Sequence, residues 1–366
     1  MQSWAEDITI QPSLTSRVVY DDNVDFNPND EQDDFAANLI PQLTLNHTTD
    51  LLKLSLIGEV DVLKYFNQTD FDRTNQLYGV DGSYLLFPRF GFAGNFQYRK
   101  DETIDSQLEE TGQFFNRNTV KTYDSGGGFF FKLTELSDIG FDVDYRKRSY
   151  SSADDTDFDR FTFSLPYTKK FANQRDEISL VPAYSIFDSD NEDAKDYRFT
   201  VGWNREISET LKSDVKIGVR YTDIEEQRND GDDTNLGYLG RISLKKTGET
   251  FTGEVAISRD LRANSNAQIV EVNRLILRAD KQLRERFEFR FYGAGYLTET
   301  DSNDAKNEKT TYFELKPSFY YRLTENHSLF LAYAYQRKIE HDKPGDPATQ
   351  RNRAWIGLEL KFPKKL

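Results

Sequence analysis

The 366-residue chain reads as all-β, a transmembrane antiparallel up-and-down β-barrel of about 18 strands. Three observations predict this. Segments alternating apolar and polar residues with period two recur from end to end. The connections between them are alternately short and long. Outward aromatics gather at two heights. Composition removes the competing classes. Aromatics at 14% are too many for a disordered chain, and charged residues at 30% are too many for helical membrane spans, of which no apolar run is long enough. A barrel reconciles the two, because lipid-facing apolar residues alternate with lumen-facing polar ones.

The first strand sets Ile8, Ile10, Pro12, Leu14, Val18 and Tyr20 on one face and Thr9, Gln11, Ser13, Thr15 and Arg17 on the other. The second sets Phe35, Ala37, Leu39, Pro41, Leu43 and Leu45 against Asn38, Gln42 and Thr44. In the third, Leu52, Leu54, Leu56, Val60 and Val62 oppose Lys53, Ser55, Glu59 and Asp61. The pattern recurs at 78–86, 90–98, 123–133, 139–145, 161–167, 178–186, 197–203, 215–221, 236–244, 251–261 and 275–279, and last at 287–297, 313–323, 329–335 and 354–362. Short turns near 46–50, 87–89, 134–137, 172–175, 208–210, 246–249, 283–286 and 324–327 alternate with long polar loops, from 21–34 to 336–351. Short turns on one rim and long loops on the other are the pattern of an outer-membrane barrel, and an even strand number puts both termini on the periplasmic side. The expected division is a periplasmic tail at 1–7, the barrel at 8–362 and a second tail at 363–366. The opening Met-Gln-Ser-Trp-Ala-Glu-Asp has neither a basic nor an apolar leader segment, as expected of a mature chain.

Tyr20, Tyr98, Tyr123, Tyr145, Phe161, Tyr197, Tyr221 and Tyr335 face outward at loop-side strand ends, and Tyr167, Trp203, Phe287, Tyr321 and Phe362 near the turn side. Two aromatic rings around an aliphatic band suit the two membrane interfaces. Pro12, Pro41, Pro166, Pro182 and Pro317 lie in the turn-side halves of their strands, which predicts a belt of bulges, since each deletes a ladder donor.

The stretch YDDNVDFNPNDEQDDFAANLIPQLTL resembles the opening of the β-barrel porin 2 family, with an Asp-Asp-Asn turn, an acidic loop and a Pro-containing second strand. The resemblance implies export of exopolysaccharide together with a periplasmic polysaccharide-export protein. The last strand, with Gly357, Leu360 and Phe362, is similar to the signal read by the barrel-assembly machinery, although Pro363-Lys364-Lys365-Leu366 follow the aromatic.

The chain has no Cys, and its three His (His47, His327, His341) are scattered, which leaves little for thiolate, triad or zinc chemistry. No enzymatic activity and no cofactor are expected. A formal charge of -15 argues against nucleic acid. Asp21, Asn23 and Asp25 imitate a calcium loop but lack its Gly and closing Glu; 154–159 and 188–193 allow only looser calcium binding. The acidic loop 21–34 is expected to face outward, where divalent cations bridge it to lipopolysaccharide.

By parity, the lumen receives Glu59, Asp61, Asp81, Asp124, Asp142 and Asp144 from strands three to seven. Lys53 and Lys132 stand among them. Strands ten to sixteen supply Arg198, Lys216, Arg220, Arg241, Arg274, Arg278, Arg290 and Lys316 with fewer acids (Asp214, Glu254, Asp280, Glu288 and Glu314), so one wall reads as mainly acidic and the other as mainly basic. An acidic wall facing a basic wall would impose a transverse field on passing solutes; the same side chains could instead pair within the wall. The third long loop, 99–122, either folds inward to narrow the pore or stays outside. The leading expectation is a pore for a hydrophilic polymer; a general or sugar-selective diffusion porin and a sheath for an electron-transfer partner are the alternatives.

Overall fold

A computed structural model describes residues 7–152, 155–226, 231–300, 309–341 and 347–366. It is a single closed antiparallel sheet. The strands are β1 (Asp7–Asp21), β2 (Asp34–Thr48), β3 (Leu52–Tyr65), β4 (Arg73–Phe87), β5 (Phe90–Glu102), β6 (Thr119–Thr134) and β7 (Ser137–Tyr150). The eighth stave is interrupted, as β8 (Phe158–Ser164) and β9 (Tyr167–Lys170). Then come β10 (Asp176–Ser189), β11 (Glu192–Ser208), β12 (Leu211–Glu226), β13 (Gly231–Thr247), β14 (Phe251–Ala263) and β15 (Ile269–Arg284). The last are β16 (Phe287–Thr300), β17 (Lys309–Arg322), β18 (His327–Glu340), β19 (Ala348–Lys361) and the two-residue β20 (Lys364–Lys365). Counting β8 and β9 as one stave, 18 staves form the barrel, as the alternation predicts. The weakest segment, 275–279, is the middle of the full-length β15.

Each strand pairs with its sequence neighbour, and β1 closes on β19 from Ser13 opposite Lys361 to Asp21 opposite Arg353. Closure leaves no free edge, the condition for a sheet in lipid. β20 continues the seam along β1, with Lys365 opposite Thr9 and the Leu366 N–H donating to the Ile8 carbonyl at 2.9 Å. Residues 364–365 are thus held by strand pairing; most of the 1–7 segment lies outside the described residues.

The outer face is apolar in the manner of a lipid contact. Ile217, Val219, Ile242 and Ile257 are each 58–63% exposed, which no water-facing sheet would sustain. Loop-side rings form runs around the outside: Tyr78 on Tyr98 (6.1 Å), Tyr98 on Tyr123 (5.1 Å), Tyr145 on Phe161 (4.5 Å) and Tyr197 on Tyr221 (6.3 Å). Phe287 on Tyr321 (4.9 Å) belongs to the turn-side girdle.

The proline belt differs from expectation. Register shifts occur at Leu85/Phe87, Lys132/Thr134, Glu206/Ser208 and Gln282/Arg284, all at short turns and none at a proline. At Pro41 and Pro317 the ladder simply omits pairs and resumes in the same register. Only Pro166 breaks a strand, and there the Leu165 N–H donates across the gap to the Pro182 carbonyl (3.1 Å). A missing donor therefore costs hydrogen bonds without inserting a residue.

The seam also explains the Asp-Asp-Asn turn. Asp21 is buried against the Arg351 guanidinium of β19, Asp22 accepts the Asn352 N–H at 2.6 Å, and the Asn23 amide donates to the Gln350 carbonyl at 2.9 Å. The motif ties the first loop to the last strand. Gly357 packs under the Phe330 ring, and a Cβ there would lie 2.7 Å from the Ser16 carbonyl oxygen of β1. Gly357→Val should therefore impair closure. The expected outcome is a marked loss of the heat-modifiable, folded gel band, whereas Gly295→Ala, whose Cβ meets nothing within 4 Å, should assemble normally.

Candidate functional site

An 18-stave barrel is too wide for its own side chains to fill. The third long loop occupies the space instead. Its α1 (Thr103–Glu110) is short, with Asp105 in the first turn. Within an acidic segment, Ile104 and Leu108, four residues apart, supply one apolar face, and both are buried. The helix ends at Gly112, whose φ of +70° suits glycine and whose Cβ position is 2.8 Å from Tyr296 Cβ. Ile104, Leu108 and Phe114 pack with Phe26 of the first loop and with Val270, Val272, Ala294, Tyr296 and Tyr312 of β15–β17.

Polar contacts hold the loop to opposite parts of the wall. Toward β4, Asp105 meets the Arg73 guanidinium at 3.3 Å and the Asn75 amide at 3.3 Å. Toward β7, Glu110 pairs with Arg148 and, at 4.0 Å, with Arg146, while the Gln107 amide donates to the Tyr150 hydroxyl (3.1 Å). On the far side the Tyr296 hydroxyl donates to the Glu109 carbonyl (2.8 Å), the Thr298 hydroxyl to the Thr111 carbonyl, and Lys338 Nζ to the Phe114 carbonyl (2.7 Å). Burial opposes ionisation of Glu110, but Arg148 and Arg146 overcome it and hold the carboxyl down at about 2. Asp105 is likewise pulled below the usual carboxylate range, by Arg73 against the effect of burial.

Of the two arrangements the sequence allows for this loop, the structure has the inward one. The first loop follows it. Asn23, Val24 and Phe26 are buried, the Arg117 guanidinium donates to the Val24 carbonyl at 3.1 Å, and the exposed residues are 28–31 near the tip and Asp33. Loop 21–34 thus bends over the mouth at the long-loop rim, because its apolar Phe26 packs against α1 and β15–β17 there.

Beside α1 lies a lumen cavity of about 370 Å³. Arg17, Arg99, Arg353 and Lys316 line it, as do Glu59, Asp61, Asp101 and Glu109. None of these eight has an opposite charge within 4 Å among the described residues. Arg17 is oriented by neutral groups, donating to Asn38 Oδ1 at 2.6 Å and lying over the Trp355 ring at 5.5 Å. The Asn38 amide in turn bonds Asp61. Arg353 Nε is buried with no hydrogen-bond partner. Burial pushes the Glu109 carboxyl up, against the pull of Lys316.

Of the residues singled out from sequence, Glu59, Asp61 and Lys316 meet in this cavity. Asp81 lies opposite Asn95, and Asp142 and Asp144 lie opposite Gly128 and Gly126. Most of the basic set is paired along the wall. Arg198 bonds Asp196 (2.7 Å), Arg220 meets Glu271 (3.2 Å), Arg241 bridges Asp214 (3.6 Å) and Glu254 (3.7 Å), Arg278 shares Glu254 (3.5 Å), and Arg290 bonds Glu288 (2.6 Å). Lys216 stands opposite Arg241 with no carboxylate within 4 Å among the described residues.

Two opposed walls of opposite sign are not what the barrel has. Arg73, Arg99, Arg146, Arg148 and Arg160 stand on β4–β8, among the acids assigned to that wall. Reading strands as ending at Tyr98 and Tyr145 omits Arg99, Arg146 and Arg148, whereas β5 and β7 run on to Glu102 and Tyr150. Reading the segments 78–86 and 161–167 omits Arg73 and Arg160, whereas β4 and β8 begin at Arg73 and Phe158. Arg353 and Trp355 were legible as inward by parity with Gly357. His47, His327 and His341 stay apart; His327 and His341 bond Thr324 (3.0 Å) and Thr311 (2.9 Å). Among the described residues, no three His, Asp or Glu converge as a metal site; of the looser calcium segments, 154–159 lies partly outside those residues.

No family model and no curated protein matches the chain. Solved structures do. OccK1 (OpdK) of Pseudomonas aeruginosa is similar at 8% identity and a TM-score of 0.52, covering 98% of this chain and 99% of that one. The same channel with vanillate gives 9%, 0.52, 98% and 99%. OccK9 (OpdG) of the same organism gives 12%, 0.50, 97% and 98%. At such identities the likeness is one of fold. Together with the lipid-facing belt, it makes the chain an 18-strand bacterial outer-membrane barrel of the kind that Occ channels form.

Proposed function

We propose that the chain is a narrow diffusion channel for small hydrophilic solutes, oriented at the constriction by charges of both signs. One observation carries the reading. Besides the paired Arg73 and Asp105 and the paired Asp21, the 370 Å³ cavity beside α1 is lined by Arg17, Arg99, Arg353, Lys316, Glu59, Asp61, Asp101 and Glu109, none of which has an opposite charge within 4 Å among the described residues. Charges meant only to brace a wall pair along it, as Arg290 and Glu288 do. Charges held apart, with Arg17 fixed by Asn38 and Trp355, leave a local field across the path. A solute with a carboxylate, or with both a positive and a negative group, finds partners there. Vanillate, found with one structural relative, is a small carboxylate.

The inward loop weighs against the polymer-export reading, because a polysaccharide would have to pass a lumen crossed by α1 and its anchors. It weighs equally against a sheath, whose partner would need that space. The resemblance that suggested polysaccharide export rests on the Asp-Asp-Asn turn, and those residues have a structural task at the seam.

If the cavity lies in the ion path, its charges set selectivity. The combined variant R17Q/R99Q/K316Q should move the reversal potential under a salt gradient towards cations, and E59Q/D61N/E109Q towards anions. Moderate ionic strength keeps screening from masking the effect. Unmoved potentials in both, with conductance intact, would take the cavity out of the path.

The loop's anchor gives a pH dependence. A carboxyl lowered in the folded state stabilises fully above its unfolded value of about 4.5, and that stabilisation is lost as pH falls through its folded value of about 2. Single-channel conductance should therefore show no anchor release between pH 8 and 5. It should become noisier and larger between about pH 4 and 2. Glu110→Gln should bring that noisy state to neutral pH. A quiet, unchanged Glu110→Gln channel would show that the ion pair does not hold the loop.

A further inference from the structure

The outer surface carries a charge arrangement that passage through the lumen does not use. At the loop-side ends of β5 and β6, Lys100 and Lys121 stand directly opposite each other. Parity puts both on the lipid-facing side, two residues beyond Tyr98 and Tyr123, whose rings touch at 5.1 Å. Like charges directly opposite on one face of an antiparallel pair repel. Among the described residues neither ammonium has a carboxylate within 4 Å.

The other outward lysines of this rim are different. Lys64 pairs with Asp72 (3.0 Å), Lys147 with Asp159 (3.5 Å), Lys195 with Glu225 (3.2 Å) and Lys309 with Glu299 (2.8 Å). On a chain with 62 acids against 47 bases, two adjacent lysines left without an acid stand out. Gln76 lies opposite Lys100 and Ser149 opposite Lys121, so the row is flanked by hydrogen-bonding groups. A polar cavity of about 250 Å³, lined in part by Lys64, Thr74, Lys100 and Thr119, adjoins it. Of its three acids, Asp72 is engaged by Lys64 and Glu102 by Arg117 (2.7 Å), while Asp101 is buried and by parity points to the opposite, lumen side from its neighbour Lys100.

Height identifies the missing anion. Tyrosine girdles mark the boundary between hydrocarbon and headgroups, so the next outward row stands at phosphate level. We propose that Lys100 and Lys121 form a binding site for a phosphate of an outer-leaflet lipid A molecule. The acyl chains would lie over the apolar surface below, with Gln76 and Ser149 as polar neighbours of the headgroup. The site rests on outer-membrane residence with the long loops outside, and not on what the channel conducts. Two ammonium groups sharing one phosphate cancel their mutual repulsion through charge-assisted hydrogen bonds.

The test is native mass spectrometry of the detergent-solubilised barrel with bisphosphorylated lipid A, the same lipid with its phosphates removed, and phosphatidylglycerol. The wild type should retain bisphosphorylated lipid A in preference to both other lipids. K100Q/K121Q should bind it roughly 30-fold more weakly, and each single variant about fivefold. Lys64→Gln and Lys195→Gln, at paired lysines, should change it less than twofold. The heat-modifiable gel band reports folding, and the single variants carry the test if the double variant does not assemble. Undiminished binding by the lysine variants, or equal retention of the dephosphorylated lipid, would overturn the site. Equal, lysine-dependent retention of phosphatidylglycerol would overturn its assignment to lipid A.

Discussion

Everything in this molecule follows from the need to leave no backbone donor or acceptor unpaired in hydrocarbon. In lipid an open sheet edge costs several kcal/mol per exposed group, so the sheet must close. Closure happens between the first and last full staves, from Ser13–Lys361 to Asp21–Arg353, and is extended by Lys364–Lys365 beyond Pro363. The residues at this seam are specialised for it. Gly357 lets two backbones and the Phe330 ring come together, and Asp21, Asp22 and Asn23 bind the loop after β1 to β19. The prolines obey the same constraint, since each removes a donor without shifting the register that closure depends on.

Closing 18 staves creates a second constraint, on width. The interior is broader than side chains can span, and water would fill it unless the chain returned into it. The loop after β5 does so, with an apolar stripe of Ile104, Leu108 and Phe114 on one side and Asp105 and Glu110 paired to arginines on the other. Removing one partner of such a buried pair leaves the other charged and unpaired, which is why these contacts define one position for the loop. The position of the loop then shapes the cavity where Arg17, Arg353 and Lys316 face Glu59, Asp61 and Glu109. Seam, width, loop and charged constriction form one causal sequence.

The barrel was legible from sequence because period-two alternation is a local signal. Val18, Leu39 and Phe96 announce the lipid face without reference to any other strand, and the structure exposes each of them by 45–46%. Charges were less legible. Strand ends lie where alternation fades into polar loop, so Arg99, Arg146 and Arg148 went uncounted and the lumen looked more segregated than it is. Which charges pair depends on neighbours several staves away, as with Arg220 of β12 and Glu271 of β15, 51 residues apart. The inward turn of the third loop left only a weak trace, two apolar residues at helical spacing in an acidic run. Its burial depends on Tyr296, Thr298 and Lys338, which no local reading connects to it.

The claim that the loop crosses the lumen in its resting state is open to direct measurement, because the chain has no cysteine of its own. Thr298 donates to the carbonyl of Thr111, so cysteines placed at these two positions are neighbours if the loop lies as described. The account predicts that T111C/T298C forms an intramolecular disulfide readily in the folded protein, with the same single-channel conductance oxidised and reduced, since the bond fastens the loop where it already is. Failure to form the bond, or a conductance that falls sharply when it forms, would contradict it and place the resting loop elsewhere.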